Sequence, residues 1–405
     1  MNKNLIKINH CEVCNGEELF DVLNLGMHPM CDDLVKIEDD RKCKEFPIEI
    51  LYCKRCNTAH QKYQIPKQEL FPITYHYRAR FTADVLNGMK SLVDDCITYF
   101  GNFSNKKVID IGCNDGSLLD FFKEHGAITF GIEPTDAYKD AFQKGHTIFK
   151  DFLTVEVAKK IVKKTKVIDF ITFTNVFAHI EDLKGVISAL KEMVSSATVV
   201  VIENHYLGAV LEKNQFDTFY HEHARTYSYN SFLFIAEALG LNLLKVEFPS
   251  RYGGNIRVFI GNKDVYSKFI FNDTEIKNKE AKFFDEFHKM AEKIVGWKAE
   301  MKKNIVEQVK IYGKIKAKAF PGRAAILIKL LGIDENLISA VYEKPGSMKI
   351  GNYLPGTRIP IKSDEELIKT LHEEKVIINL AWHIKGEIEK YLYLNGFKGK
   401  LINIL

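Results

Sequence analysis

Thr218-Phe219-Tyr220-His221-Glu222-His223 sets a phenol, a carboxylate and two imidazoles in four consecutive positions. These are titratable or hydrogen-bonding groups of the kind that transfer protons in catalysis. Along a strand, Tyr220 and Glu222 would share one face, and His221 and His223 the other. In a turn all four could converge. An exposed hairpin would carry the same residues, but the string lies downstream of a nucleotide-binding pattern, which favours a site.

Two further groups could do chemistry. Cys11-Glu12-Val13-Cys14 and Cys53-Lys54-Arg55-Cys56 are C-x-x-C knuckles separated by 38 residues. Each presents two thiolates from a tight turn, and together they complete a tetrahedral four-sulfur zinc site with no open position for a substrate. Asn15-Gly16 and Asn57 suit the positive-φ geometry of such turns. Redox or disulfide use is the alternative. Cys31 and Cys43 are read as spare thiols, and His28 and His60 are not expected to be ligands.

Gly112-Cys113-Asn114-Asp115-Gly116 follows a short apolar strand, Val108–Gly112, and opens a helix at Leu118. Glycine there lets backbone approach a ligand at the carboxyl end of a sheet. Glu133 ends the next strand, Ile128–Glu133, placed to bind two ribose hydroxyls, so the arrangement suits an adenosyl ligand. The spacing is not G-x-G-x-x-G, which weakens a dinucleotide reading. Asp151 and Phe152 follow a third strand and could flank an adenine, or serve as a helix cap and a core ring. Asn175-Val176-Phe177-Ala178-His179 closes the strand after Asp169, where a histidine faces either a site or a packed cap.

The elements that must hold these groups alternate. A helical pattern runs through Leu86, Met89, Leu92, Val93 and Ile97. Strands are expected at Val167–Thr174 and Ala197–Glu203 around a Leu183–Met193 helix. A helix at Asn230–Leu239 and an antiparallel pair, Leu241–Glu247 and Asn255–Gly261, follow. This is an α/β chain with a parallel sheet. Residues from Asp273 to about Lys310 read as one long charged connecting helix. A small α/β unit follows, with a helix from Ala324 and strands at Leu337–Tyr342 and Val376–Ala381.

At 405 residues the chain is long enough for two or three domains. It has 57 basic and 53 acidic side chains, and a net charge of +4 does not suggest nucleic-acid binding. Residues 1–10 carry no signal-type apolar stretch, and no apolar run approaches the roughly 18 residues of a membrane span. A cytoplasmic monomer without membrane or nucleic-acid partners is expected. Six of the eight cysteines fall in the first 56 residues, which favours a local metal site over a disulfide framework.

Taken together these motifs resemble the S-adenosylmethionine-dependent sugar C-methyltransferases. The resemblance rests on the knuckle pair, Ile111–Leu119, Asn175–His179, Phe216–His223, Gly253–Arg257, Leu354–Pro360 and Leu380–His383. It implies a zinc-binding domain over 1–72, a class I methyltransferase (Rossmann-like) domain over 73–303 and a smaller C-terminal Rossmann-like domain over 304–405. A nucleotide-linked 4-keto-deoxysugar would be the substrate. By position, Gly112, Asn114, Gly116 and Glu133 would hold the cofactor, joined by Asp151, Phe152 and Asn175. Tyr75 or Tyr77, His179, Tyr220, Glu222 and His223 would line the sugar site. The chain departs from the family at Arg78-Ala79, at Ala224-Arg225-Thr226-Tyr227 and around Gly322-Arg323. Added arginines near the pocket could favour a substrate with an extra acidic or phosphate group.

The implied chemistry needs these residue types. Carbon becomes nucleophilic only after losing a proton, and C3 of a 4-keto sugar lies beside the carbonyl. A base near neutrality is wanted, and imidazole, at about 6.5, meets that need. His223 is assigned as base, oriented by Glu222, with Tyr220 or His179 donating to the enolate oxygen. O- or N-methylation of a nucleotide sugar is the alternative. A nucleic-acid methyltransferase carrying a zinc-knuckle module is a third reading.

Overall fold

The computed structural model describes residues 5–71, 78–81 and 83–405. They form two compact units: 1–21, 51–213 and 222–284 make the first, and 22–50, 214–221 and 285–405 the second.

In the first unit, β1 (Thr58–Gln61) follows the second knuckle and pairs antiparallel with β7 (Arg225–Thr226). Helix α1 (Ala83–Phe100) buries Val85, Met89, Leu92, Val93 and Cys96, a stripe at helical spacing. Then come β2 (Lys107–Ile111), α2 (Ser117–Glu124), β3 (Ile128–Ile132), β4 (Thr147–Phe149), α3 (Val155–Thr165), β5 (Phe170–Thr174), α4 (Leu183–Met193) and β6 (Val199–His205). After β7 follow α5 (Tyr229–Ala238), β8 (Asn242–Glu247) and β9 (Asn255–Gly261).

The seven-stranded sheet has the order β8-β9-β6-β5-β2-β3-β4. The five strands from β6 to β4 are parallel, while β9 runs antiparallel to both β6 and β8. Strands β5 and β6 are buried almost throughout, as a sheet covered on both faces requires. The chain leaves β2 toward β3 on one side and returns to β5 on the other. The order therefore reverses between β2 and β5, which opens a crevice at their carboxyl ends. One face packs Leu92, Phe103, Leu118, Phe122, Phe170 and Phe259 into a common core.

Two glycines set that crevice. Gly112 has φ +71°, and a Cβ on it would lie 2.8 Å from both Cγ atoms of Val176, so the β2 and β5 loops meet only over a bare Cα. Gly116, at φ +75° before α2, would meet His146 at 2.8 Å and Ala141 at 2.9 Å.

The second unit holds α7 (Phe283–Tyr312), most of which lies there, followed by β10 (Ile315–Lys318), α8 (Ala324–Leu331), β11 (Ile338–Glu343), β12 (Ile361–Ser363), β13 (Val376–Asn379) and β14 (Lys400–Asn403). Its five-stranded sheet is all parallel, in the order β12-β11-β10-β13-β14. The mixed α/β architecture is thus the expected one.

The connecting helix differs from expectation. It is two helices, α6 (Thr274–Glu280) and α7, broken after Glu280. Glu280 is fully buried and accepts from Tyr229 N–H at 2.6 Å, Asn230 N–H at 3.0 Å and the Tyr206 hydroxyl at 3.1 Å. A carboxylate capping the α5 N-terminus draws that turn inward, which a charged surface helix could not do. Among the described residues no helix is long and apolar enough to cross a membrane.

Gly116→Ala should cost about 1–3 kcal/mol, because the left-handed φ and the His146 and Ala141 contacts both oppose a methyl. Urea unfolding monitored by circular dichroism checks this; wild-type stability would show that the loop relaxes freely.

Candidate active site and cysteine cluster

The four knuckle sulfurs, of Cys11, Cys14, Cys53 and Cys56, lie within 4.8 Å of one another. Asn15 and Asn57 each have φ 57°, and their N–H groups close the turns onto the Cys11 and Cys53 carbonyls at 2.8 Å. Sulfur pairs stand 3.4 Å (Cys11–Cys56) and 3.6 Å (Cys14–Cys53) apart. A tetrahedron with Zn–S bonds near 2.3 Å has edges of about 3.8 Å, so the donor set fits zinc. None of the eight cysteines is in a disulfide. His60 stands beside the cluster: its Nε2 lies 3.3 Å from Cys11 Sγ and its Nδ1 lies 3.4 Å from Glu12 Oε2. That is the outer-shell arrangement which orients a ligand without replacing it. His28 bonds the Leu25 carbonyl at 2.8 Å.

At the β2 end, Gly112, Asn114 and Gly116 all have positive φ. Glu133 is buried. Its Oε2 accepts the Asn114 N–H at 3.0 Å, and its Oε1 accepts the N–H and hydroxyl of Thr135. Burial raises its pKa, although these hydrogen bonds act to lower it. Two carboxylate oxygens offer about four acceptor sites, so acceptor capacity remains for a diol. Asp151 is exposed and Phe152 half-buried. The cap of α3 is Thr154, which accepts from Val157 N–H at 3.3 Å, so neither Asp151 nor Phe152 serves as cap or core. Asn175 has φ 54° and its N–H donates to the Glu203 carbonyl at 2.8 Å.

The unit boundary falls inside the Tyr-His-Glu-His string: Tyr220 and His221 belong to the second unit, Glu222 and His223 to the first. His221 is a core histidine, bonded to the Phe46 carbonyl at 3.2 Å and pushed down to about 4 by burial. His223 is buried, its ring 5.1 Å from His179 and 5.2 Å from His205. Phe71 stacks on His179 at 5.4 Å, and Glu222 Oε2 lies 3.9 Å from His179 Nδ1. Burial pushes His179 down to about 4, so it is neutral at neutral pH. Tyr75 and Tyr77 lie outside the described residues.

Sequence reasoning missed His205 and Tyr252, whose rings are 5.8 Å apart. The available signal was the polar run Glu203-Asn204-His205 ending an apolar strand. Glu203 is fully buried and pairs with Arg257 Nε at 2.7 Å and Arg251 at 3.3 Å. The arginine departures also prove to be paired. Arg78 donates to Asp140 at 2.8 Å, Arg225 meets Glu12 at 2.6 Å, and Arg323 meets Asp217 at 3.3 Å. Arg225 is fully buried, so the reading of it as an anion receptor for the substrate fails. Glu12 shows the consequence. Burial alone would raise its carboxyl, but the Arg225 charge and His60 outweigh burial and bring it to about 2.

Cys53→Ser should lower both zinc content, measured by metal analysis, and the thermal midpoint; a stable, metal-free variant would contradict the site. A second expectation concerns pH. His179 and His221 sit near 4 and His383 near 3, against an ordinary 6.5. The unfolded chain therefore binds protons below pH 6.5 that the folded chain refuses, and stability rises with pH across that window. Calorimetry should show the midpoint falling as pH drops from about 6.5 to 4; a flat profile would mean these imidazoles titrate normally.

Three domain models match in order along the chain: a zinc binding domain over residues 11–71, a methyltransferase domain over 81–246 and a C-methyltransferase C-terminal domain over 250–404. The chain is 26% identical over 401 residues to C-methyltransferase NovU of Streptomyces niveus, covering 96% of this chain and 94% of that one. Similar solved structures include magnesium protoporphyrin IX methyltransferase of Synechocystis PCC 6803 with bound SAH. It is 18% identical over 44% of this chain and 84% of that one, with a TM-score of 0.36. A SAM dependent methyltransferase of Archaeoglobus fulgidus is 18% identical over 43% and 93%, with a TM-score of 0.36. The matched domains, the doubly wound sheet and the four-cysteine cluster place this chain in the family of S-adenosylmethionine-dependent C-methyltransferases that join a zinc binding domain to a methyltransferase domain and a C-methyltransferase C-terminal domain.

Proposed function

We propose that the enzyme methylates C3 of a nucleotide-linked 4-keto-deoxysugar, with His223 as the base that forms the enolate. The observation that carries this reading is the buried imidazole of His223 flanked by His179 and His205, beyond the carboxyl ends of β5 and β6. Three segments, 1–72, 73–303 and 304–405, serve as its zinc-binding, methyltransferase and sugar-nucleotide domains.

The cofactor residues follow from the crevice. Glu133 would accept the ribose hydroxyls, while the Gly112–Gly116 loop, with Asn114, lets backbone come close to the ligand. Asp151 and Phe152, which follow β4, would flank the adenine, and Asn175 would close the β5 side. When bound, S-adenosylmethionine supplies an electrophilic methyl group on a sulfonium.

His223 removes the C3 proton and holds it on its ring. A neighbouring imidazole that stays neutral adds no opposing charge when that proton arrives, which favours acceptance. His179, neutral at neutral pH, can donate an N–H to the enolate oxygen, as can Tyr220 or a tyrosine at 75 or 77. Glu222 sets the orientation of the imidazoles. The buried setting excludes water, so the enolate meets the methyl group before a proton.

The test separates proton removal from methyl transfer. The enzyme is incubated in deuterium oxide with S-adenosylhomocysteine and a nucleotide-linked 4-keto-6-deoxysugar, and C3 exchange is read by mass spectrometry. His223→Ala should slow exchange and turnover by about 10²–10⁴-fold, with S-adenosylhomocysteine affinity unchanged by calorimetry. Undiminished exchange in that variant would remove His223 as the base. In a parallel incubation with S-adenosylmethionine, a methyl found on oxygen or nitrogen of the sugar would overturn carbon methylation.

A further inference from the structure

The cysteine cluster is wired to the imidazoles by one buried cation. Arg225 lies two residues after His223 and is fully buried. One of its terminal nitrogens meets Glu12 Oε2 at 2.6 Å and the Glu181 carbonyl at 3.5 Å, and its Nε donates to the Tyr227 hydroxyl at 3.0 Å. That hydroxyl reaches the Phe177 carbonyl at 3.4 Å. Phe177 and Glu181 bracket His179, so the guanidinium and Tyr227 hold the turn that presents it.

The backbone around Arg225 is tied on both sides. Arg225 and Thr226 pair with His60 and Ala59, and Gln61 N–H donates to the Ala224 carbonyl at 2.9 Å. On the other side Tyr227 bridges to Tyr206, and its carbonyl accepts from Leu207 N–H at 2.9 Å. Tyr206 follows His205. The short segment 224–227 thus touches the supports of all three rings: by covalent chain for His223, by carbonyl bonds for His179, and by a β-bridge for His205.

The far end of the network lies in the first knuckle. Glu12 Oε2 also accepts from Gln64 at 2.7 Å and lies 3.4 Å from His60 Nδ1, whose other nitrogen reaches Cys11 Sγ. The buried guanidinium has no solvent to neutralise it, and Glu12 is the carboxylate in contact with it.

We propose that Arg225 is a positioning residue that sets the spacing of His179, His205 and His223, and that Glu12 of the first knuckle holds it in place. The cysteine-rich segment then serves the reaction as well as its own folding. This rests on the reading of the three imidazoles as the proton-transfer site. It also accounts for an arginine here: a lysine could offer a point charge but not the fork that reaches Glu12, Glu181 and Tyr227 together.

Arg225→Gln, Arg225→Lys and Glu12→Gln are compared with wild type, with Tyr227→Phe as the variant least able to disturb folding. Four readouts are taken: kcat against KM, S-adenosylhomocysteine affinity by calorimetry, zinc content, and the imidazole proton NMR resonances of His179, His205 and His223. The expected result is a fall in kcat of about tenfold to hundredfold, with cofactor affinity and zinc retained and the imidazole resonances shifted. Arg225→Lys should be nearly as impaired as Arg225→Gln, and the Arg225 and Glu12 losses should be non-additive when combined. Wild-type kcat and unshifted resonances in Arg225→Gln would overturn the proposal. So would zinc loss with unfolding in the Arg225 and Glu12 variants while Tyr227→Phe remains wild type in every readout. If His223→Ala keeps its C3 exchange but Arg225→Gln still shifts the three resonances, the base assignment fails and the positioning role stands.

Discussion

Everything at this site depends on the reversal of strand order between β2 and β5. Parallel strands all point their carboxyl ends the same way, so the loops after β2, β3, β4, β5 and β6 emerge on one edge. Only where neighbouring loops turn in opposite directions does a crevice open between them. Here that place is the contact of Gly112 with Val176, which tolerates no Cβ. One side of the crevice carries the positive-φ loop and Glu133; the other carries Asn175, His179 and, one strand further, His205. A methyl donor and an acceptor held across one such edge need no later rearrangement to meet, and removing that search is where much of a displacement reaction's barrier can be saved.

Buried charge is the second constraint, and it is handled by pairing. Glu203 sits fully buried at the end of β6 with Arg251 and Arg257 as partners, and Asn255 donates to it at 2.9 Å. Arg225 and Glu12 repeat the arrangement beside the cysteine cluster. Removing one member of such a pair strands an uncompensated charge, at about 3–5 kcal/mol, whereas the intact pair is worth much less. These pairs therefore specify which segments come together more than they stabilise the fold. That is a sufficient reason for arginine at positions where an anion receptor was expected.

The imidazoles show the same environment acting on protonation. Burial holds His179 and His221 near 4 and His383 near 3, well below the range in which a free imidazole charges. An imidazole kept neutral by desolvation is a poor acid but a serviceable N–H donor. It also lets a nearby ring take up a proton without repulsion. Within the Tyr-His-Glu-His string this distinguishes residues that look alike on paper. His221 is locked into the core against Phe46, while His223 stands among other rings at the sheet edge.

The alternation of apolar strands with helices, the glycine loop after β2 and the two C-x-x-C knuckles were legible in the sequence because each is a local pattern: a period, a turn or a spacing. The thiolate cluster followed from them, since two knuckles can close on one ion in only a few ways. What tertiary structure alone decided involves partners far apart in the chain. It placed His205 beside His223, gave Arg225 to Glu12, and broke the charged helix after Glu280 to cap α5. It also divided the Tyr-His-Glu-His string between two units. A side chain's type is written in the sequence, but its solvation and its counter-charge are set by whatever the fold packs against it, and those two quantities determine what the group can do.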